Sequence, residues 1–342
     1  MRKYDVTIGV PVYNSVDRIQ MSLISALSQS YPSIEYLLIN DGCTDGTFDI
    51  VNQLVKTHQR SNDVRILSHS KNLGVSTSRN QIIDEAQGDF LYFMDSDDTI
   101  SENAIELLIQ NVRQFSAEIV FGSYEKIEIS GKKTLFQYPS LQLLGKDDLA
   151  IFAYRKYAGI QASACNYLIK TSLLRENHLR FINASYWEDM AFTFNMVTYI
   201  SRAVLLPDIT YSYICHMNSL SHYQQRNVIA KDEVMQNVNV INYLKTTSSS
   251  MVYKTYYPNR CKIIVMTDFY IACHIIKRRN NIHPSVTNKE IKALMAHPAT
   301  IRQIYSFRQS RMTNLFLYLL GKLPSLFCVI AILIIGKTKK LL

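Results

Sequence analysis

Several signatures that would assign this chain quickly are missing from its 342 residues. Six cysteines, Cys43, Cys165, Cys215, Cys261, Cys273 and Cys328, form no CxxC pair. That argues against a zinc knuckle or a disulfide framework and suits buried thiols in a reducing compartment. No GxGxxG or GxxxxGKS/T run follows the first apolar stretch, whose exit is Pro11-Val12-Tyr13-Asn14, which argues against a dinucleotide dehydrogenase or a P-loop enzyme. No apolar signal region opens the chain, since residues 6–12 are short and read as a strand, so the catalytic part is expected in the cytoplasm. Internal repeats and low-complexity linkers are absent as well.

Acid is scarce in the last third. Residues 1–225 carry 19 Lys+Arg against 24 Asp+Glu and residues 226–342 carry 18 against 4, so a net −5 region precedes a net +14 region. The division predicts a catalytic domain over 1–225 and a basic, helical, membrane-associating region over 226–342. An anionic phospholipid surface, rather than nucleic acid, is the expected partner of the basic region. Two apolar runs, 315–320 and 326–335, are separated by Gly321, Lys322 and Pro324, and neither reaches the ~20 residues of a spanning helix. Arg302, Arg308 and Arg311 precede them and Lys337, Lys339 and Lys340 follow. A monotopic segment on the cytoplasmic face of the membrane fits this order, with a buried core helix as the alternative.

Over the first hundred residues, strand-like and helix-like periods alternate. Residues 6–12 are β-branched and apolar; Ile19, Leu23 and Leu27 recur at helical spacing; residues 36–39 are the next strand. Asp45 is placed to cap a helix through Ile50 and Leu54, and residues 64–67 form a strand. A helix through Ile82, Ile83 and Ala86 is expected to end at Gly88, before a strand at 90–94. This order predicts a Rossmann-like α/β fold with a mostly parallel central sheet and flanking helices. Two further strands are expected at 118–121 and 126–129, with a turn at Gly131, and helix from Val228 onward through Val234, Val238, Ile241 and Leu244.

Two acidic loops follow strands directly. One is Asn40-Asp41-Gly42-Cys43-Thr44-Asp45-Gly46-Thr47, the other Asp95-Ser96-Asp97-Asp98. Carboxyl ends of strands in such a sheet form the ligand crevice. Three acids within four residues repel one another unless a cation joins them, and a divalent metal clamping a diphosphate resolves the repulsion. Turn formation is the plainer alternative, with Asp98 or Ser101 capping a helix that starts near Glu102.

Five motifs together, Pro11-Val12-Tyr13-Asn14, the acidic run of 41–47, Asn72-x-Gly74 with Ser78-Arg79-Asn80, Asp95-Ser96-Asp97-Asp98 and Trp187-Glu188-Asp189, resemble the family 2 glycosyltransferases of GT-A fold in content and order, over residues 4–225. The resemblance implies inverting transfer of one sugar from a nucleotide-diphosphate donor, by frequency a UDP-sugar, to a hydroxyl of a saccharide or lipid-linked saccharide in cell-surface polysaccharide synthesis. It implies that Pro11, Val12, Tyr13, Asp41, Asn72, Arg79, Asp95, Ser96 and Trp187 bind the nucleotide sugar. Asp97 and His216 would hold Mn²⁺ or Mg²⁺, with His222 nearby, and Asp189, assisted by Glu188, would be the base. Ile214 stands where the family often has Arg, Asn40 and Cys43 replace Asp and Ser, and Trp187 is the only Trp, so the QxxRW motif of processive synthases is absent. Competing readings are a haloacid dehalogenase-like phosphatase, with Asp95 as nucleophile and Asp97 as acid/base, and a non-catalytic nucleotide-sugar-binding scaffold.

Overall fold

The computed structural model describes residues 4–155, 159–184, 186–216 and 228–342. The chain divides into two compact units, residues 1–149 with 162–219 and residues 150–161 with 220–342.

In the first unit the elements run β1 (Tyr4–Val12), α1 (Ile19–Leu27), β2 (Ile34–Asn40), α2 (Thr47–Thr57), β3 (Val64–Ser68), α3 (Val75–Glu85), β4 (Gly88–Phe93), β5 (Thr99–Ile100), α4 (Ala104–Phe115), β6 (Ile119–Ile127), β7 (Lys133–Phe136) and β8 (Leu141–Leu143). After α5 (Asp148–Arg155), most of which belongs to the second unit, the first unit resumes with β9 (Tyr167–Lys170), α6 (Thr171–Glu176), α7 (Glu188–Met196) and β10 (Ala203–Ile214). The sheet order is β3-β2-β1-β4-β9-β6-β10-β5, with β7 on β6 and β8 on β10. Strands β3, β2, β1 and β4 are parallel, as the alternating pattern predicts. Beyond β4 the sheet becomes mixed: β9 is antiparallel to both β4 and β6, while β10 runs parallel to β6. The central strands have Val6, Ile8 and Val10 of β1 buried with Leu37, Leu38 and Ile39 of β2, the near-continuous apolar pattern of strands covered on both faces.

Four local expectations change. The two strands expected at 118–121 and 126–129 are one continuous strand, β6, because β10 pairs along it as far as Ile127. Gly131, at φ 81°, makes the turn into β7. Gly88 does not close α3; it opens β4, where a Cβ would lie 2.4 Å from the Thr7 backbone nitrogen. Asp98 is not a cap either, since α4 starts at Ala104 behind Asn103 and no side chain caps it. Nor is Asp45 the cap of α2, whose N-cap is Gly46 with no capping side chain, although the Asp45 carboxylate accepts from the Thr47 backbone N–H at 3.1 Å.

In the second unit, β11 (Ile229–Ala230) leads into α8 (Lys231–Thr247), whose Val234, Val238, Ile241 and Leu244 are buried as their spacing predicts. α9 (Tyr257–Lys277), 21 residues long, is the central helix and packs against α8. β12 (Ile282–His283) pairs with β11, followed by α10 (Asn288–Leu294), α11 (Ile301–Ser306), α12 (Arg311–Lys322) and α13 (Ser325–Thr338). α10, α12 and α13 also pack on α9. Among the described residues no helix is long and apolar enough to cross a membrane.

Candidate active site

Parallel register gathers the expected residues at one edge of the sheet. Val12 pairs with Asn40, and Asn40 with Ser68, so Tyr13, Asp41 and His69 leave neighbouring strands together. Met94 N–H bonds the Gly9 carbonyl at 3.1 Å, which brings the Asp95 loop out beside the same strand. Val12 is itself buried, and its carbonyl accepts the Asp41 N–H at 2.9 Å. Tyr13, in contrast, is 47 % exposed and free to lay its ring along a flat ligand. Pro11 is partly buried at the strand exit.

Asp41 is only 3 % exposed and held by a ring of donors. Its Oδ1 accepts from the Leu73 N–H at 2.8 Å and contacts His69 Nδ1 at 2.7 Å; its Oδ2 accepts from the Gly74 N–H at 2.9 Å. Gln81 contacts the other nitrogen of His69 at 2.7 Å. Asn72 closes the same loop by accepting from Gly74 N–H at 2.9 Å. The loop needs Gly42 at φ 74°, where a Cβ would meet the Lys71 backbone at 2.5 Å. Asp41 is therefore fixed as an acceptor before any ligand arrives.

The second loop is anchored from three sides. Ser96 shares a 2.7 Å hydrogen bond with Ser15 after β1. Asp98 accepts from the Tyr211 hydroxyl at 2.7 Å and the Ile214 N–H at 2.8 Å, so it ties the loop to β10. Asp97 Oδ2 meets His216 Nε2 at 2.6 Å. Burial, and then the charges of Asp95 and Asp97, push the Asp98 carboxyl up to about 8; burial and Asp95 also raise Asp97. Both shifts mark an excess of negative charge with too little water to screen it.

Arg79 joins this loop to the helix carrying the other acids. Its guanidinium donates to Asp95 at 2.8 Å and to Glu188 at 2.9 Å, and lies 5.4 Å from the Phe181 ring centre. Burial alone would lower the Arg79 pKa, but the Asp95 and Glu188 carboxylates more than offset it and hold it well up. Glu188 is thus committed to a buried bridge, whereas among the described residues Asp189, the next residue, accepts only from the adjacent Met190 N–H, at 2.6 Å. Burial, followed by the Glu188 charge, pushes Asp189 up to about 7. Trp187 caps α7 in the left-handed region at φ 64° and is half-buried.

Sequence reasoning missed His69, Gln81, Ser15 and Tyr211. A signal for His69 existed, because a polar residue directly after β3 must stand beside the residue directly after β2 in a parallel pair. No comparable signal exists for Tyr211, which reaches Asp98 across 113 positions. His222 lies outside the described residues.

Among the described residues, no cluster of three or more His, Cys, Asp or Glu is arranged to hold a metal ion. Asp97 and His216 still form a fitting pair of donors. A hard divalent ion that keeps waters and substrate phosphates in its shell needs only one or two protein ligands. The crowding that raises Asp97 and Asp98 is what such a cation relieves.

The family model for glycosyl transferase family 2 matches residues 7–174, from β1 through β9 and into α6. The match spans just under half of the chain, and over it the chain carries a glycosyl transferase family 2 domain. The glycosyltransferase is similar to a cholesterol galactosyltransferase of Borreliella burgdorferi, 22 % identical over 293 residues, 81 % of this chain and 80 % of the relative. Its fold is like that of Staphylococcus aureus TarS in complex with UDP-GlcNAc, with TM-score 0.56, 17 % identity, and 93 % and 90 % of the two chains covered. The mannosyltransferase PcManGT from Pyrobaculum calidifontis, in complex with GDP-Man and Mn²⁺, gives TM-score 0.54 at 13 % identity, covering 94 % and 88 %. These likenesses show the GT-A architecture, and the domain together with the named relatives supports a glycosyltransferase. The phosphatase reading is set aside.

Proposed function

We propose that this glycosyltransferase moves one sugar from a nucleotide-diphosphate donor, a UDP-sugar, to a hydroxyl of a saccharide or lipid-linked saccharide, with inversion and with a divalent metal. The observation that carries this reading is the Arg79 bridge, which fastens the Asp95 loop and the Glu188-Asp189 helix end to one guanidinium. A donor-holding loop and a candidate base so joined form one site in which the two halves of a displacement can meet.

In this reading Tyr13 stacks on the base, with Pro11 and Val12 shaping the floor of the pocket. Asp41 accepts from a ring N–H of the base; Asp95 and Ser96 lie beside the ribose, and Asn72 supports the loop. Mn²⁺ or Mg²⁺, held by Asp97 and His216, would neutralise charge developing on the diphosphate. Asp189 takes the acceptor hydroxyl proton, and a carboxyl with a pKa near 7 is matched to that task at neutral pH. Glu188 holds Arg79, while Trp187 offers a flat face to a sugar ring. TarS and PcManGT, in complex with UDP-GlcNAc and GDP-Man respectively, support the donor class. The second unit, net basic, would keep the enzyme peripheral to the cytoplasmic face of an anionic membrane, and residues 1–225 and 226–342 would be its catalytic and membrane-associating parts.

Thermal stabilisation by a panel of nucleotide sugars with and without Mn²⁺ tests the donor and the metal together, since a ligand of the native state raises its apparent stability. A UDP-sugar should stabilise in the presence of metal, and Asp97→Asn should abolish that shift while the unliganded protein melts as before. Stabilisation of Asp97→Asn equal to that of the wild type would refute the metal assignment. Retained anomeric configuration in the product, read by proton NMR, would refute inversion.

A further inference from the structure

The last two helices of the second unit expose apolar surface that a water-facing helix pair has no reason to carry. On α12, Met312 is 75 % exposed, with Phe316 and Leu319 following at helical spacing. On α13, Phe327 is 59 % exposed, with Ile330 and Ile334 after it. At ~100° per residue each set falls on one side of its helix. The opposite side of α13 is core, with Cys328, Val329 and Ile332 buried. The run at 326–335 is therefore neither wholly core nor wholly free. One face anchors the helix to the unit and the other stands open, which merges the two alternatives that sequence alone left apart.

Charge indicates what that open face meets. No acid follows Glu290 in the chain, whereas Arg308 and Arg311 precede or open α12, Lys322 ends it, and Lys337, Lys339 and Lys340 lie at the end of α13. All six are exposed. α12 and α13 touch and are separated only by Leu323 and Pro324. They form a hairpin whose apolar faces lie between basic ends. With 12 and 14 residues the helices span ~18 and ~21 Å, short of a ~30 Å hydrocarbon core.

We propose that the α12–α13 hairpin is a monotopic membrane anchor, seating Phe316, Leu319, Phe327 and Ile330 below the headgroups of an anionic bilayer with the six cations on its phosphates. The apolar stripe supplies a salt-resistant component and the cations supply preference for anionic lipid. This proposal rests on the membrane clause of the proposed function and deepens it. Vesicle binding is measured without donor or acceptor, so failure of the anchor and failure of the chemistry are read separately.

The test is flotation of the full chain with vesicles of phosphatidylcholine alone or with 30 mol % phosphatidylglycerol. The wild type should float with the anionic vesicles, more weakly but measurably in 0.5 M NaCl, and far less with phosphatidylcholine. Phe316→Glu with Phe327→Glu should reduce binding by about 100-fold or more, because two inserted rings are lost and two carboxylates face lipid phosphates. Lys337→Gln, Lys339→Gln and Lys340→Gln together should reduce it by about 10-fold or more and spare the salt-resistant fraction. Phe316→Ala with Phe327→Ala is the milder pair should the double glutamate variant unfold, which circular dichroism will show. Wild-type binding by the alanine pair, complete loss of wild-type binding in 0.5 M NaCl, or a lipid-free dimer that the same substitutions dissociate while no vesicle is bound would each overturn the proposal.

Discussion

Arg79 in the first unit is buried between two carboxylates, Asp95 and Glu188, whereas Asp268 in the second is buried against Lys245 at 2.5 Å. The first arrangement sits at a loop edge where Asp97, Asp98 and Asp189 add negative charge, and all three carboxyls are pushed up. The second joins two packed helices, α8 and α9, and the lysine also donates to the Leu294 carbonyl at 2.6 Å. Burial raises Asp268 to about 7, yet its partner is supplied by the fold itself. A buried charge cluster with unrelieved like charges marks a place for an incoming cation or proton, while one relieved by its own neighbours marks packing. The excess charge of the second unit lies instead on its surface, where water screens it.

Substitutions in each unit test this contrast. The largest expected effect is at Asp189: changing it to Asn should leave donor affinity in calorimetry unchanged and slow transfer by about 10² to 10⁴-fold under saturating donor and acceptor, the share of a positioned general base. A full-rate variant would move Asp189 from chemistry into structure. In the second unit, Lys245→Met should cost about 3–5 kcal/mol in urea unfolding by leaving Asp268 buried alone, and adding Asp268→Leu should recover most of it. If Lys245→Met costs nothing, the pair is not a self-contained element of the fold.

pH separates the two roles further. Asp189 must be ionised to accept a proton, so transfer should rise about tenfold per unit below pH 7 and level off above it. Stability runs the other way. A carboxyl whose folded pKa lies above its unfolded value contributes stability that is complete below the unfolded value and is lost as pH rises through the folded one. With Asp189 at about 7 and Asp98 at about 8, the metal-free first unit should lose melting temperature between pH 5 and 8. A rising melting temperature over that interval would contradict these shifts. The smallest effect is expected at Thr287, which caps α10 by accepting the Glu290 N–H at 3.3 Å; its change to Ala should cost about 1 kcal/mol in unfolding and leave transfer unaffected.

The parallel half of the sheet was legible in the residues alone, because hydrophobic period and strand-to-helix alternation are local properties. Equally legible were the places of Asp41, Asp95 and Asp97 at strand ends and of Glu188 and Asp189 at a helix start. The short-range logic of strand exits and helix starts needs no knowledge of the partner. Which partner each acid meets was legible only in the folded chain. Asp98 and Asp97 are adjacent in the chain, but the first is turned to Tyr211 and the Ile214 N–H and the second to His216. Glu188 and Asp189 are likewise adjacent, but only the first reaches Arg79, across 109 positions. These assignments depend on where β10 and α7 return to the sheet, and a return of that length is set by packing of the whole unit rather than by any window of residues.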